Sequence, residues 1–90
     1  MKVLRNAVAG TLESNDVLVA VLPGDGSVQV DVESIVLEQF GPQIVQAVEE
    51  MAKEMGVTDA VIRLEDRGAL DCTIKARVET ALRRAGEVQK

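Results

Sequence analysis

The sequence predicts an α+β fold: a mostly antiparallel sheet of about four strands with two amphipathic helices on one face, in the order β-β-β-α-β-α. Three observations lead there. Valine-rich runs with strand-like alternation fill the first third of the chain, and a further alternating run, with Ile62 and Leu64, follows near residue 60. Two later stretches, Pro42–Met55 and Leu70–Ala85, repeat apolar residues at steps of three and four. Clusters of Gly, Pro, Asp and Asn separate these segments.

Ala7–Glu13 and Asp16–Leu22 read as the first two strands, divided by Ser14-Asn15, a polar break suited to a hairpin turn because Asn tolerates positive φ. In the second strand Val17, Val19 and Val21 alternate with Leu18, Ala20 and Leu22, so both faces are apolar and the strand is central or covered on each side. Pro23-Gly24-Asp25-Gly26 turns the chain. Val28, Val30 and Val32 then alternate with Gln29, Asp31 and Glu33, the pattern of a half-buried third strand. Ile35–Phe40 reads equally as a strand extension or a helical turn.

Gly41-Pro42 marks a helix start, since proline suits the first helical position. Ile44, Val48, Met51, Ala52 and Met55 form the apolar stripe of that helix, Glu49, Glu50 and Lys53 its outer face, and Gly56 its C-terminal glycine. Asp59–Glu65, with Ile62 and Leu64 set against Arg63 and Glu65, is the fourth strand, and Asp66-Arg67-Gly68 turns the chain again. Leu70, Ile74, Val78, Leu82 and Ala85 stripe the last helix, which has Asp71 near its start and Arg83 and Arg84 in its last turn, as the helix dipole favours. Gly86 ends it, and Glu87–Lys90 is expected to fray.

Composition narrows the function. Ninety residues fit one domain, 1–90, with a single core and no room for a deep cleft walled by a second domain. Aromatic residues are 1% of the chain, Phe40 alone, so the core is aliphatic and no stacking platform for nucleic acid exists. Fifteen acidic residues against ten basic ones leave a net charge of −5, which repels phosphate backbones and anionic lipid and suits docking on basic protein surfaces. No segment has the pattern of a signal peptide or a spanning helix, and Cys72, the one cysteine, has no internal partner, all of which points to a cytoplasmic protein with neither nucleic acid nor membrane as partner.

Ser14 stands out as the one candidate site. It is a hydroxyl on a tight turn between Glu13 and Asp16. A serine nucleophile needs a positioned base, and the chain has no histidine and no Gly-x-Ser-x-Gly turn. Ser14 is therefore a residue acted upon by another enzyme, or else a turn residue capping its own backbone. The carboxylate pairs Asp66 with Asp71 and Glu49 with Glu50 read as a turn with a helix start and as a solvated helix face, rather than as acid–base pairs. Cys72 reads as a small core residue at a helix start. Gly24 and Gly26 are turn glycines, since no Gly-Lys-Ser/Thr follows them.

The stretch Ala7-Val8-Ala9-Gly10-Thr11-Leu12-Glu13-Ser14, the segment Gln39-Phe40-Gly41, and Asp66-Arg67-Gly68-Ala69-Leu70-Asp71-Cys72 followed by Ala76-Arg77 resemble the acyl carrier (gamma) subunit of citrate lyase, nearly end to end. The resemblance implies a non-catalytic carrier, a phosphoprotein of citrate fermentation. Ser14 is the position that would carry, through a phosphodiester, a prosthetic group derived from 2'-(5''-triphosphoribosyl)-3'-dephospho-CoA. It also implies partners: an alpha subunit that exchanges acetyl for citryl on the arm thiol, a beta subunit that cleaves the citryl thioester to oxaloacetate, a holo-carrier synthase that attaches the arm, and an acetate ligase that acts on its thiol. A reactive thiol on a long arm accounts for a domain with no cleft and no histidine. Better-known acyl carriers bear their serine in Asp-Ser-Leu at the start of a helix, whereas Glu13-Ser14-Asn15 lies between strands, so a shared fold is not expected. The Asp66–Cys72 motif is either a surface for the attaching transferase or a lyase subunit, or a turn and helix start; the second reading is preferred. The carrier of malonate decarboxylase and an unmodified interaction module are the alternatives.

Overall fold

The valine alternations and the two amphipathic stripes fold into six elements in the expected order. In the computed structural model, which describes residues 1–86, these are β1 (Ala7–Gly10), β2 (Val17–Pro23), β3 (Val28–Ser34), α1 (Leu37–Glu54), β4 (Ala60–Asp66) and α2 (Asp71–Ala85). The expected fraying of Glu87–Lys90 lies outside the described residues.

The sheet runs β1-β2-β4-β3. Its pairs β1–β2 and β2–β4 are antiparallel, as expected, but β3–β4 is parallel, so the sheet is mixed. The cause is α1. An 18-residue helix spans about 27 Å, enough to carry the chain from the end of β3 back past its start, and β4 then runs alongside β3 in the same direction. β2 is central, flanked by β1 and β4.

Register brings the inward side chains into rows. Ala9, Val19, Leu64 and Val32 form one row, Val21, Ile62 and Val30 the next. The helices cover this face, with Ile44, Ala47, Val48 and Ala52 from α1 and Ile74, Val78, Ala81, Leu82 and Ala85 from α2 buried against it. The last row is Val17, Asp66 and Ser34, where the apolar pattern gives way to polar groups. Asp66 is only 2% exposed; its carboxylate accepts from Ser34 Oγ at 2.8 Å and from the Ala69 N–H at 2.9 Å.

Three local expectations need correction. Ile35–Phe40 is a turn followed by the start of α1, so Pro42 lies inside the helix rather than at its first position. Val36 O accepts from the N–H groups of Gln39 and Phe40, closing a turn ahead of the proline. Cys72 is exposed, not in the core. It precedes Ile74 by two positions, which on a helix puts it across from the buried stripe. Leu70 is likewise exposed, standing before the first turn of α2 rather than on its inner face. The Gly56 terminus of α1 is as expected: φ is +69°, Gly56 N–H donates to Lys53 O and Val57 N–H to Ala52 O.

Candidate functional site

The Ser14 turn is built by its neighbours. β1 stops at Gly10, three residues sooner than the strand pattern suggested. Gly10 has φ +92°, and a Cβ there would run into the carbonyl oxygen of Val17, so glycine alone lets the chain leave the ladder at this point. Thr11 Oγ1 accepts from the Glu13 N–H and donates to Asp16 Oδ2 at 2.7 Å. Glu13 O accepts from the Asp16 N–H at 3.1 Å, which closes a β-turn with Ser14 and Asn15 at its centre, and Asn15 supplies the positive φ of +64°.

Two further clamps hold the turn. Asn15 N–H donates to Arg67 O at 2.8 Å and Arg67 N–H to Asp16 O at 2.9 Å, tying it to the loop after β4. The Asp16 carboxylate accepts from the Val17 N–H at 2.8 Å and from Arg77 of α2 through both Nε (3.1 Å) and Nη2 (3.0 Å), a two-point ion pair of the stronger kind. The Thr11 hydroxyl, then Arg77 and the Val17 N–H, hold the Asp16 carboxyl down at about 2.

Ser14 itself is exposed. Among the described residues nothing hydrogen-bonds its hydroxyl, so the self-capping reading is not what the turn does with it. The result is a free hydroxyl on a backbone fixed from below by α2 and from the side by the β4–α2 loop. Such a hydroxyl can accept a group delivered from outside, and the chain has no histidine to serve as its base.

The other sequence candidates disperse. Asp66 is committed to Ser34 and Ala69, Asp71 is exposed at the first turn of α2, and Glu50 pairs with Lys75 at 3.2 Å. Among the described residues no group of three His, Cys, Asp or Glu side chains could hold a metal, and no helix is long and apolar enough to cross a membrane. The structure does bring three motif segments together: Glu13–Asp16, Asp66–Asp71 and Arg77 meet at one end of the sheet, and Phe40 and Leu70 both line a groove beside them. The Asp66–Asp71 loop is thus both a structural turn and part of the surface around Ser14. The use of Arg77 as an anchor was hidden in sequence by its separation of 61 positions from Asp16.

The family model that matches, over residues 4–85, is described as "ACP: Malonate decarboxylase delta subunit". Citrate lyase acyl carrier proteins are similar over nearly their whole length: that of Treponema denticola is 54% identical, covering 97% of this chain and 99% of the relative. That of Pectobacterium atrosepticum is 48% identical, covering 100% and 94%.

The chain belongs to the citrate lyase acyl carrier protein family.

Its role is that of an acyl carrier, and carriers of this kind bear a covalent prosthetic arm. The carrier's fold also matches a chain in the crystal structure of a Pseudomonas malonate decarboxylase hetero-tetramer in complex with malonate, with a TM-score of 0.74 at 19% identity, covering 96% of this chain and 93% of that one. At that identity the likeness speaks for the α+β architecture alone.

Proposed function

We propose that this chain works as a single acyl carrier domain in a cytoplasmic citrate lyase complex, and that Ser14 is where its phosphoribosyl-dephospho-CoA arm is attached. The observation that carries the reading is the unengaged Ser14 hydroxyl at the tip of a turn locked by Thr11, Asp16, Arg67 and Arg77. The site fits the group: the hydroxyl faces solvent, and a fixed turn holds the root of a long arm steady while leaving its far end free. In the attachment, Ser14 Oγ bonds to the α-phosphorus of the triphosphoribosyl precursor, the bond from that phosphorus to its bridging oxygen breaks, and pyrophosphate leaves with the electron pair. The hydroxyl proton passes to a base on the holo-carrier synthase, since the carrier has no histidine. When bound, the arm supplies a thiol that holds acetyl or citryl for the alpha and beta subunits and is recharged by an acetate ligase. The carrier's own part is to hold Oγ in place and to keep the thiol at a high local concentration near its partners.

Intact mass tests the reading. Co-expression with the attaching enzymes raises the mass by a nucleotide-containing thiol group on the Ser14 peptide, Ser14→Ala abolishes the gain, and expression without those enzymes gives the encoded mass. An unchanged mass after co-expression would overturn the proposal and favour an interaction module. The description of the matching family model keeps malonate decarboxylase as a second reading; loading of the holo-carrier by malonate, with rejection by citrate lyase subunits, would establish it instead.

A further inference from the structure

Solitary exposed apolar side chains are ordinary on protein surfaces; a set that converges on one place is not. Ile35 (68% exposed), Leu37 and Phe40 (46% each) and Leu70 (70%) all lie where β3 runs into α1 and β4 runs into α2, the end of the sheet that carries Ser14. Phe40 and Leu70 line a groove of about 330 Å³ floored by Ile44 and Ile74. Gly68 joins this patch to the Ser14 turn: the place a Gly68 Cβ would occupy is 3.6 Å from Asn15 Oδ1 and 3.9 Å from Ile35 Cδ1. The rim is acidic. Asp71 lines the groove, Glu38 stands in the first turn of α1, and Glu33 and Glu65 share a hollow with Ile35 and Arg67.

We infer that this patch is the docking surface for the enzyme that modifies Ser14, and that the enzyme meets it with an apolar knob ringed by Lys and Arg. The inference rests on the Ser14 reading above. An enzyme that forms a bond to Ser14 Oγ must cover the surface next to it, whereas subunits that work on the distant thiol are reached by the arm and need not. The acidic rim selects a basic partner and repels a phosphorylated arm folding back on the groove. Ile35 and Leu70 are the most exposed side chains of the patch, so an opposing protein surface covers them better than a small molecule seated in the groove does.

The test measures attachment kinetics on the full-length apo-carrier, with a citrate lyase holo-carrier synthase and the triphosphoribosyl-dephospho-CoA precursor. Leu70→Glu and Ile35→Glu each change an exposed side chain, and a urea midpoint reports whether each variant folds. Both are expected to raise KM for the carrier about tenfold with kcat changed less than about twofold, whereas Val8→Glu, exposed on β1 away from the patch, behaves as the parent. Modification of both patch variants at the parental rate overturns the inference, as does equal impairment by Val8→Glu. If the patch variants load normally and then stall with the lyase subunits, the surface belongs to those subunits and the inference is again wrong. A parent carrier that gains no mass at Ser14 overturns the Ser14 reading itself, whereas a defect or its absence in the variants beside a normally loading parent bears on the patch alone.

Discussion

Asp16 ties the Ser14 turn to the rest of the fold, and its ionisation makes that tie pH-dependent. The Thr11 hydroxyl, Arg77 and the Val17 N–H all favour the charged carboxylate and lower its pKa from 3.8 to about 2. A carboxyl depressed in the folded state adds stability above its unfolded pKa, and that stability is lost as pH falls through the folded value. Asp16→Asn is therefore expected to melt below the parent at neutral pH, with the gap closing between pH 3.8 and about 2. Thermal melts of both proteins across that range check it; a gap independent of pH would mean that the carboxylate charge is not what anchors the turn. At Gly10 the constraint is steric. With φ at +92° and the Val17 carbonyl oxygen where a Cβ would sit, Gly10→Ala is expected to cost more than about 1 kcal/mol in urea denaturation.

α1 shows what an element can conceal from sequence reading. Proline at residue 42 suggests a helix start, yet the helix begins at Leu37, because Val36 O collects the N–H groups of Gln39 and Phe40 in an extra turn whose residues are exposed. The run Ile35–Phe40 carries no decisive period, so nothing local favoured that outcome. By contrast, the alternation over Val28–Ser34 and the glycine at residue 56 specify their structures through nearest neighbours alone, and both are found as read. The direction of β3 against β4 is set by where α1 returns the chain, which is a property of two elements and not of either pattern. The same split holds at the site: turn chemistry makes Ser14-Asn15 legible, while the Asp16–Arg77 pair joins residues 61 apart and appears only once α2 packs on β1 and β2. Pro42 has no N–H to give to Glu38 O. Pro42→Ala is therefore expected to raise stability by about 1–2 kcal/mol, the interior proline penalty less the chain entropy that proline removes from the unfolded state. A urea midpoint that falls would show that the rigid ring is needed where α1 meets the patch.

Across the whole molecule, stability and function occupy different places. The buried aliphatic rows run through the middle of the sheet under both helices, and Ile62 and Leu64 are among the largest fully buried side chains. The free hydroxyl, the apolar patch and its acidic rim gather at one end, where the polar pair Asp66 and Ser34 closes the last row. Because Ser14 is exposed and, among the described residues, its hydroxyl makes no hydrogen bond, Ser14→Ala is expected to leave unfolding free energy within about 0.5 kcal/mol of the parent. Leu64→Ala is expected to cost about 2–5 kcal/mol, the lost transfer energy together with the cavity left behind. The two variants are opposite in the other measurement: at a temperature where Leu64→Ala remains folded, it still gains the arm mass on the Ser14 peptide, while Ser14→Ala is fully folded and gains none. A Leu64→Ala protein that is folded but unmodified would break the separation, because it would mean that packing deep in the core reaches the turn; the clamps at Thr11, Arg67 and Arg77 argue that it does not, since each fixes the turn through groups at the sheet end itself.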